Sequence, residues 1–431
     1  MRSSSHTLDR LAVTFDDDHA VADAGLVLPG TLLEHLDAEA TADVVVTRGY
    51  RPGRKIVTVL AGLLAGADCI DDLAVLRAGA TSRILPTQVV APSTIGTWLR
   101  SLTFGHVRQL DRLTEVLLTR AWQAGAGPGG SDLVIDVDST VCQVHGYAKQ
   151  GAAYGYTRQL GYHPVLAMRA DTGEVLHTRM RKGSANTARG AQRFVRETVG
   201  RVRRAGATGQ LTLRADSGFW TNKVITACTD HDVRYSITVR ATKAVVTAIA
   251  GIDETAWTDI TDPVGGKAQV AETTLAGRRL IVRRTRLVGE QAQLWPDWRH
   301  HAFVTDRTGS TVDLDADHRH HAVCELAIRD LKHGAGLNHC PSGVLTANAA
   351  WAVLATLAHN VWRWTAILGG VVAPGRLIVA KTLRRRYLTI PGRITRSARR
   401  LTLHLPAGWP WRDAFSEALS RLRAVVLPQP C

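Results

Sequence analysis

Two aspartates spaced two residues apart, Asp136 and Asp138, stand in the apolar run Leu133-Val-Ile-Asp-Val-Asp-Ser139. Side chains alternate across a strand, so both carboxylates would leave one face while Ile135 and Val137 pack on the other. Half-buried carboxylates persist when they are paired, hydrogen-bonded or bound to metal, and an all-oxygen donor set suits a hard divalent cation. Asp216 repeats the pattern in Thr212-Leu-Arg-Ala-Asp-Ser-Gly218, where Gly218 permits close backbone approach. An ordinary strand-to-turn aspartate is the competing reading there. Further on, His318, His321, Glu325 and Lys332 follow one another at helical spacing and predict one stripe, with Arg329 beside it. Cys324, Ile328 and Leu331 form the neighbouring apolar stripe, so the helix would pack down and present one acid among basic groups. A solvated salt-bridge helix is the plainer alternative.

The elements that must hold these residues can be read from hydrophobic spacing. Residues 1–125 are mainly helical, with Pro92-Ser-Thr94 as a helix start before Ile95, Trp98, Leu99 and Leu102. Gly125-Ala-Gly-Pro-Gly-Gly130 is a linker, and residues 131–231 begin an α/β unit. Its first strand carries Asp136 and Asp138. A hairpin follows at Pro164 to Arg169 and Glu174 to Met180, turning at Asp171-Thr-Gly173; then come a helix at Thr187 to Arg204 and a strand at Leu211 to Leu213 that delivers Asp216. Residues 232–312 read as a β-rich insertion, 313–370 as completing helices, and 371–431 as a basic terminal segment.

Charge narrows the partner. The chain has 431 residues and a net charge of +15, which favours a polyanion. The excess is local: from Val371 to Cys431 twelve Lys or Arg face Asp413 and Glu417, or +10, whereas the first fifty residues carry three Arg and nine acids, or −6. A basic arm of this kind suits phosphate contacts that position DNA without reading its sequence, and a merely solvated basic face is the alternative. The six cysteines, Cys69, Cys142, Cys228, Cys324, Cys340 and Cys431, form no CxxC pair. With no leader pattern and no apolar run long enough to span a bilayer, a cytoplasmic, nucleoid-associated protein is expected.

Five segments taken together resemble insertion-sequence transposases of the DDE type, in the IS4 superfamily and more closely its IS1380 group. They are Ile135-Asp-Val-Asp-Ser-Thr140, the run from Tyr154 to Pro164, Leu213-Arg-Ala-Asp-Ser-Gly-Phe219, Glu325-Leu-Ala-Ile-Arg-Asp-Leu-Lys332 and the run from Arg393 to Leu403. The resemblance covers most of the chain. It implies a ribonuclease-H-like catalytic core with a β-rich insertion, a helical N-terminal domain for DNA binding or dimerisation, and a basic C-terminal segment. It selects Asp138 as the first catalytic aspartate, with Asp136 as the alternative metal ligand, Asp216 as the second and Glu325 as the third acid, with Lys332 as a catalytic partner. The family's Tyr, Arg, Glu, Lys pattern falls on His318, His321, Glu325 and Lys332, so the first two positions depart from it and phosphate contact there becomes pH-sensitive.

What this implies is two Mg²⁺ ions, replaceable by Mn²⁺, held by the three acids for DNA cleavage and strand transfer. The implied partners are terminal inverted repeats and target DNA, met by a homodimer. His321, Arg329, Arg384, Arg385, Arg386, Arg396, Arg399 and Arg400 are the expected DNA contacts, and Trp298 with Trp295 would stack on an end base. Two other classes stay open: a catalytically silent DNA-binding regulator, and a zinc hydrolase built on His300, His301, His318, His320 and His321, whose spacing fits no compact tetrahedral set.

Overall fold

The computed structural model describes residues 8–146, 148–155, 157–261, 266–286, 298–373 and 376–427. The chain opens with a short strand β1 (Ala20–Val21) and the helices α1 (Val27–His35), α2 (Ala38–Val45), α3 (Pro52–Ala65), α4 (Pro92–Ser101) and α5 (Phe104–Ala121). Pro52 and Pro92 occupy first-turn positions of α3 and α4, where a missing N–H costs nothing.

The centre of the molecule is a mixed sheet of nine strands among the described residues. In chain order these are β2 (Leu133–Ser139), β6 (Val165–Arg169), β7 (Val175–Arg179), β8 (Leu211–Ala215), β9 (Val233–Thr238), β10 (Thr258–Ile260), β11 (Lys267–Leu275), β12 (Arg278–Arg286) and β13 (Arg299–Thr305). Their spatial order is β10-β11-β12-β13-β9-β8-β2-β6-β7. Strand β2 runs parallel to β8 and antiparallel to β6, and β8 runs parallel to β9. Three short strands, β3 (Cys142–Gln143), β4 (Ala153–Tyr154) and β5 (Leu160–Tyr162), make a separate flap after β2.

Residues 232–312, read from sequence as an insertion, do not make a sheet of their own. Strand β9 pairs with β8, and β13 joins β9 antiparallel, so β10 to β13 extend the central sheet. Backbone edge groups seek partners, and the free edge of β9 supplies them. The same segment also contains a helix, α8 (Lys243–Ala250), started by Thr242, whose side chain accepts from the Val245 N–H. Helices α6 (Ala191–Arg204) and α7 (Asn222–Thr229) connect the parallel strands; α6 begins four residues later than its hydrophobic spacing predicts.

After β13 come α9 (Thr311–Arg319), α10 (Ala322–Gly334) and α11 (Leu345–Leu368), then α12 (Ala380–Leu383), the hairpin β14 (Gly392–Ser397) and β15 (Arg400–His404), and α13 (Arg412–Arg423). Strand β1 pairs with β14, tying the N-terminal arm to the basic hairpin. Helix α11 is buried from Ala347 to Ala366, so apolar residues on every side are its requirement and not an excess. One continuous core joins α3, α5, α11 and the sheet. No helix among the described residues is long and apolar enough to cross a membrane.

Two polar groups inside that core show how it is held. Glu174, at 0% exposure, accepts from the indole N–H groups of Trp122 and Trp364, and burial pushes its carboxyl up. His359, also buried, has Nε2 on the Gly173 carbonyl at 2.9 Å; burial, then the Arg363 charge, push its imidazole down to about 3. An unfolded histidine takes its proton near pH ~6.5, which folded His359 refuses. Its contribution is therefore present above that value and falls by about 1.4 kcal/mol per pH unit on acidification towards the folded pKa. A His359→Gln variant is expected to lose stability less steeply in denaturant titrations below neutrality; equal slopes would show that the ring is not held neutral.

Candidate active site

The parallel register of β2 and β8 builds the site. Asp136 lies opposite Arg214 and Val137 opposite Ala215, so the next step brings Asp138 beside Asp216 at the strand ends. Adjacent strands lie about 4.8 Å apart, which is close for two carboxylates. Asp138 accepts the Ser139 N–H at 2.6 Å, and Asp216 accepts the Gly218 N–H at 3.0 Å, capping the short turn Ser217–Phe219. A Cβ on Gly218 would meet Thr187 Cγ2 at 2.7 Å, which explains the glycine after Asp216.

Glu325 lies in the first turn of α10, where the helix dipole favours an acid. Burial, and the charges of Asp216 and Glu325, push the Asp138 carboxyl up to about 6 against the opposing pull of His321. Asp138 therefore lies within electrostatic reach of both Asp216 and Glu325. Lys332, two turns along α10, donates from Nζ to the Val141 carbonyl at 2.8 Å and so sits at the end of β2.

Several sequence expectations are corrected here. The single stripe from His318 to Lys332 does not exist: the helix breaks at His320 and His321, leaving His318 on α9 and Glu325 with Lys332 on α10. His318 faces the sheet, with Nδ1 on Ser236 Oγ at 2.8 Å, Nε2 on Thr238 Oγ1 at 3.0 Å and its ring stacked on Phe303. Burial, with the charges of His321 and Arg214, pushes it down to about 3, so it is neutral and has no nitrogen left for a phosphate.

Asp136, expected as an alternative metal ligand, is 1% exposed and has both oxygens in use. Arg214 meets it through Nε at 2.8 Å and Nη2 at 2.9 Å, and His321 Nδ1 reaches Oδ1 at 2.8 Å. Burial raises the Asp136 carboxyl, but these two partners outweigh it and hold it below its ordinary range. His321, expected on DNA, thus spends Nδ1 on Asp136; burial lowers its imidazole, yet the Asp136 hydrogen bond and charge raise it overall.

Arg384 is likewise not a free cation: it donates to the Leu63, Leu64 and Gly334 carbonyls, closing the ends of α3 and α10. Arg385 and Arg386 are exposed, as are Arg396, Arg399 and Arg400 on the hairpin β14–β15. Arg329 is exposed on α10. Trp298 is half-buried with Arg284 over its ring at 4.6 Å, and the same guanidinium covers Trp257 at 4.1 Å. That sandwich lines a cavity of about 570 Å³ between α8 and the sheet, and it occupies a face of Trp298 expected to take a base. Trp295 lies outside the described residues.

Two site residues escaped the sequence reading. Arg214 precedes Asp216 by two positions and shares its strand face, a signal visible beside the Asp136 and Asp138 pair. His163 bridges Ser139 Oγ at 3.0 Å and the Ala185 carbonyl at 2.7 Å behind the strand ends, and no sequence spacing announces it.

Among the described residues, only Asp68, Cys69 and Asp72 bring three potential ligand atoms within 4.8 Å of one another, so Asp138, Asp216 and Glu325 are set more widely than a single-ion cage and the histidine cluster forms no zinc site. No curated protein matches the chain. Among solved structures, the cryo-EM structure of the piggyBac transposase synaptic complex with hairpin DNA aligns with 85% of this chain and 79% of that chain, at 11% identity and a TM-score of 0.44. A family model described as Transposase DDE domain group 1 matches residues 7–427, from before the first helix to beyond the last, and by that match the chain belongs to the DDE transposases.

Proposed function

We propose that the chain is an insertion-sequence transposase of the IS4 superfamily, nearest its IS1380 group, that cleaves element ends and joins them to target DNA. The observation that carries this reading is the placement of Asp138 and Asp216 at the ends of two adjacent parallel strands, with Glu325 on a helix near enough for its charge to act on Asp138. The same arrangement supports a ribonuclease-H-like core, with the aspartates on its strands and the glutamate on the helix that follows the β-rich segment.

The donor set fits divalent cations. All three side chains offer oxygen, and the burial, joined by the charges of Asp216 and Glu325, that pushes Asp138 up to about 6 is what a cation beside it offsets. Asp138, Asp216 and Glu325 would hold two Mg²⁺ ions, with Mn²⁺ able to replace them. When bound, such a pair activates the attacking oxygen and stabilises the leaving 3′ oxygen. Lys332 fixes the end of β2 through Val141, and with Arg329 it supplies positive charge beside the phosphate. Synapsis of two ends calls for a homodimer.

The hairpin β14–β15, with Arg385 and Arg386 nearby, is the proposed grip on end DNA. Neutralising Arg396, Arg399 and Arg400 to glutamine is expected to weaken binding to all duplexes alike. It should lower the slope of log affinity against log salt by up to about 2.7, or roughly 0.9 per lost phosphate contact. An unchanged slope would take the hairpin out of the interface. The function itself is tested by incubating full-length protein and Mg²⁺ with duplexes carrying the sequences that flank its gene: cleavage at the element boundary supports it, and binding without cutting points to a silent regulator.

A further inference from the structure

Helix α10 is anchored unevenly. Its C-terminal half is tied down by the Asp330–Arg363 ion pair at 2.7 Å and by Lys332 on Val141. Its first turn, which carries Glu325, packs through Cys324 on Met168 and follows directly from the turn that ends α9. That turn is gripped by two guanidinium groups, of which one also reaches the strands of the site. Arg214, 2% exposed on β8, binds Asp136 of β2 through Nε and Nη2 and donates from Nη1 to the Asp317 carbonyl in the last turn of α9. Arg307 pairs with the Asp317 carboxylate. Four residues on, His321 returns to Asp136 Oδ1. The chain from Asp317 to His321 is thereby pinned to the two strands that carry Asp138 and Asp216, and α10 starts at the next residue.

We propose that Arg214 is a positioning residue for the DNA-processing reaction, which through Asp136, Asp317 and His321 sets where Glu325 stands relative to Asp138 and Asp216. The inference rests on the function proposed above. Stability alone is a poor reason for this arrangement, because a buried ion pair replaced by apolar residues of similar volume is often neutral or stabilising. What apolar residues cannot supply is direction: a planar guanidinium with one edge on β2 and one nitrogen on α9 fixes distance and angle together. Partners one step behind metal ligands are worth about 10–100-fold in metal affinity or activity.

The test uses full-length protein and two variants. In the Asp136→Leu/Arg214→Met double variant both charges leave together, so no orphaned buried charge remains. Arg214→Lys keeps the charge but loses the two-pronged contact. Circular dichroism and thermal melts report folding, filter binding reports affinity for the duplex, calorimetry with Mn²⁺ on DNA-free protein reports the metal site, and cleavage is followed at saturating DNA. Both variants are expected to keep DNA affinity while Mn²⁺ affinity and cleavage rate fall by about 10–100-fold, with cleavage partly regained at high Mn²⁺. A folded variant of either kind that binds Mn²⁺ and cuts like the parent overturns the proposal, and Arg214→Lys decides alone if the double variant does not fold. A parent protein that neither binds Mn²⁺ nor cuts would instead defeat the transposase reading itself.

Discussion

Changing Asp138 or Asp216 to asparagine, or Glu325 to glutamine, is expected to lower Mg²⁺-dependent cleavage by at least about a thousandfold while leaving duplex binding intact. The size follows from the several kcal/mol a divalent cation contributes to stabilising transition-state charge, at about 1.4 kcal/mol per factor of ten. The amides are nearly isosteric, so the fold is little disturbed. At Asp138 an amide also removes the cost of burying a charge and the repulsion with Asp216 and Glu325, which together push the carboxyl up. Asp138→Asn is therefore expected to melt at the same temperature as the parent or higher, measured without metal. Loss of cleavage together with a raised melting point is the signature of a ligand held in place against its own electrostatics. Retained cleavage in any of the three amides would remove that residue from the metal set, and a lowered melting point in Asp138→Asn would mean the carboxylate is a structural anchor.

The second large effect is expected at Asp330, on the buried side of α10. Its Oδ2 accepts from Arg363 Nη2 at 2.7 Å and its Oδ1 from the Ala380 N–H at 2.8 Å, with both side chains 6% exposed. Burial raises the Asp330 carboxyl, and the Arg363 charge opposes that rise. Asp330→Ala leaves a guanidinium buried without its counter-charge, which costs about 3–5 kcal/mol. Denaturant unfolding followed by tryptophan fluorescence should show the midpoint falling accordingly. An Asp330→Leu/Arg363→Met pair should recover most of the loss, because no uncompensated charge remains. A single variant as stable as the parent would mean that α10 is not held at this joint.

Such joints explain which features were readable in advance. Short apolar runs mark Leu133 to Val137 and Leu211 to Leu213 as strands, because a buried strand needs apolar side chains on both faces, and the aspartates interrupt or follow those runs visibly. The hairpin of β6 and β7 is local too, closed by Asp171-Thr-Gly173 with Gly173 at φ 68°. The break between α9 and α10 leaves no such mark. His318, His321, Glu325 and Lys332 keep helical spacing across it, and only the contacts of His318 with Ser236 and Thr238 show that the first of them belongs to another surface.

Arginines were misjudged for the same reason. Arg384 and Arg385 are neighbours of identical type, yet the first closes two helix ends and the second is exposed. A side chain's charge is written in the sequence, whereas the carbonyls within its reach are not. The sequence by itself determined the residue chemistry: three acids able to hold a cation, their strand and helix settings, and a basic C-terminal segment. Only the tertiary structure decided which aspartate of the first pair is taken up by Arg214 and His321. Asp136 and Asp138 are equivalent by period-two spacing, and it is the register of β2 against β8 that places Arg214 opposite one and Asp216 beside the other. Pairing across strands joins residues 78 positions apart in the chain, and no local pattern carries information over that distance.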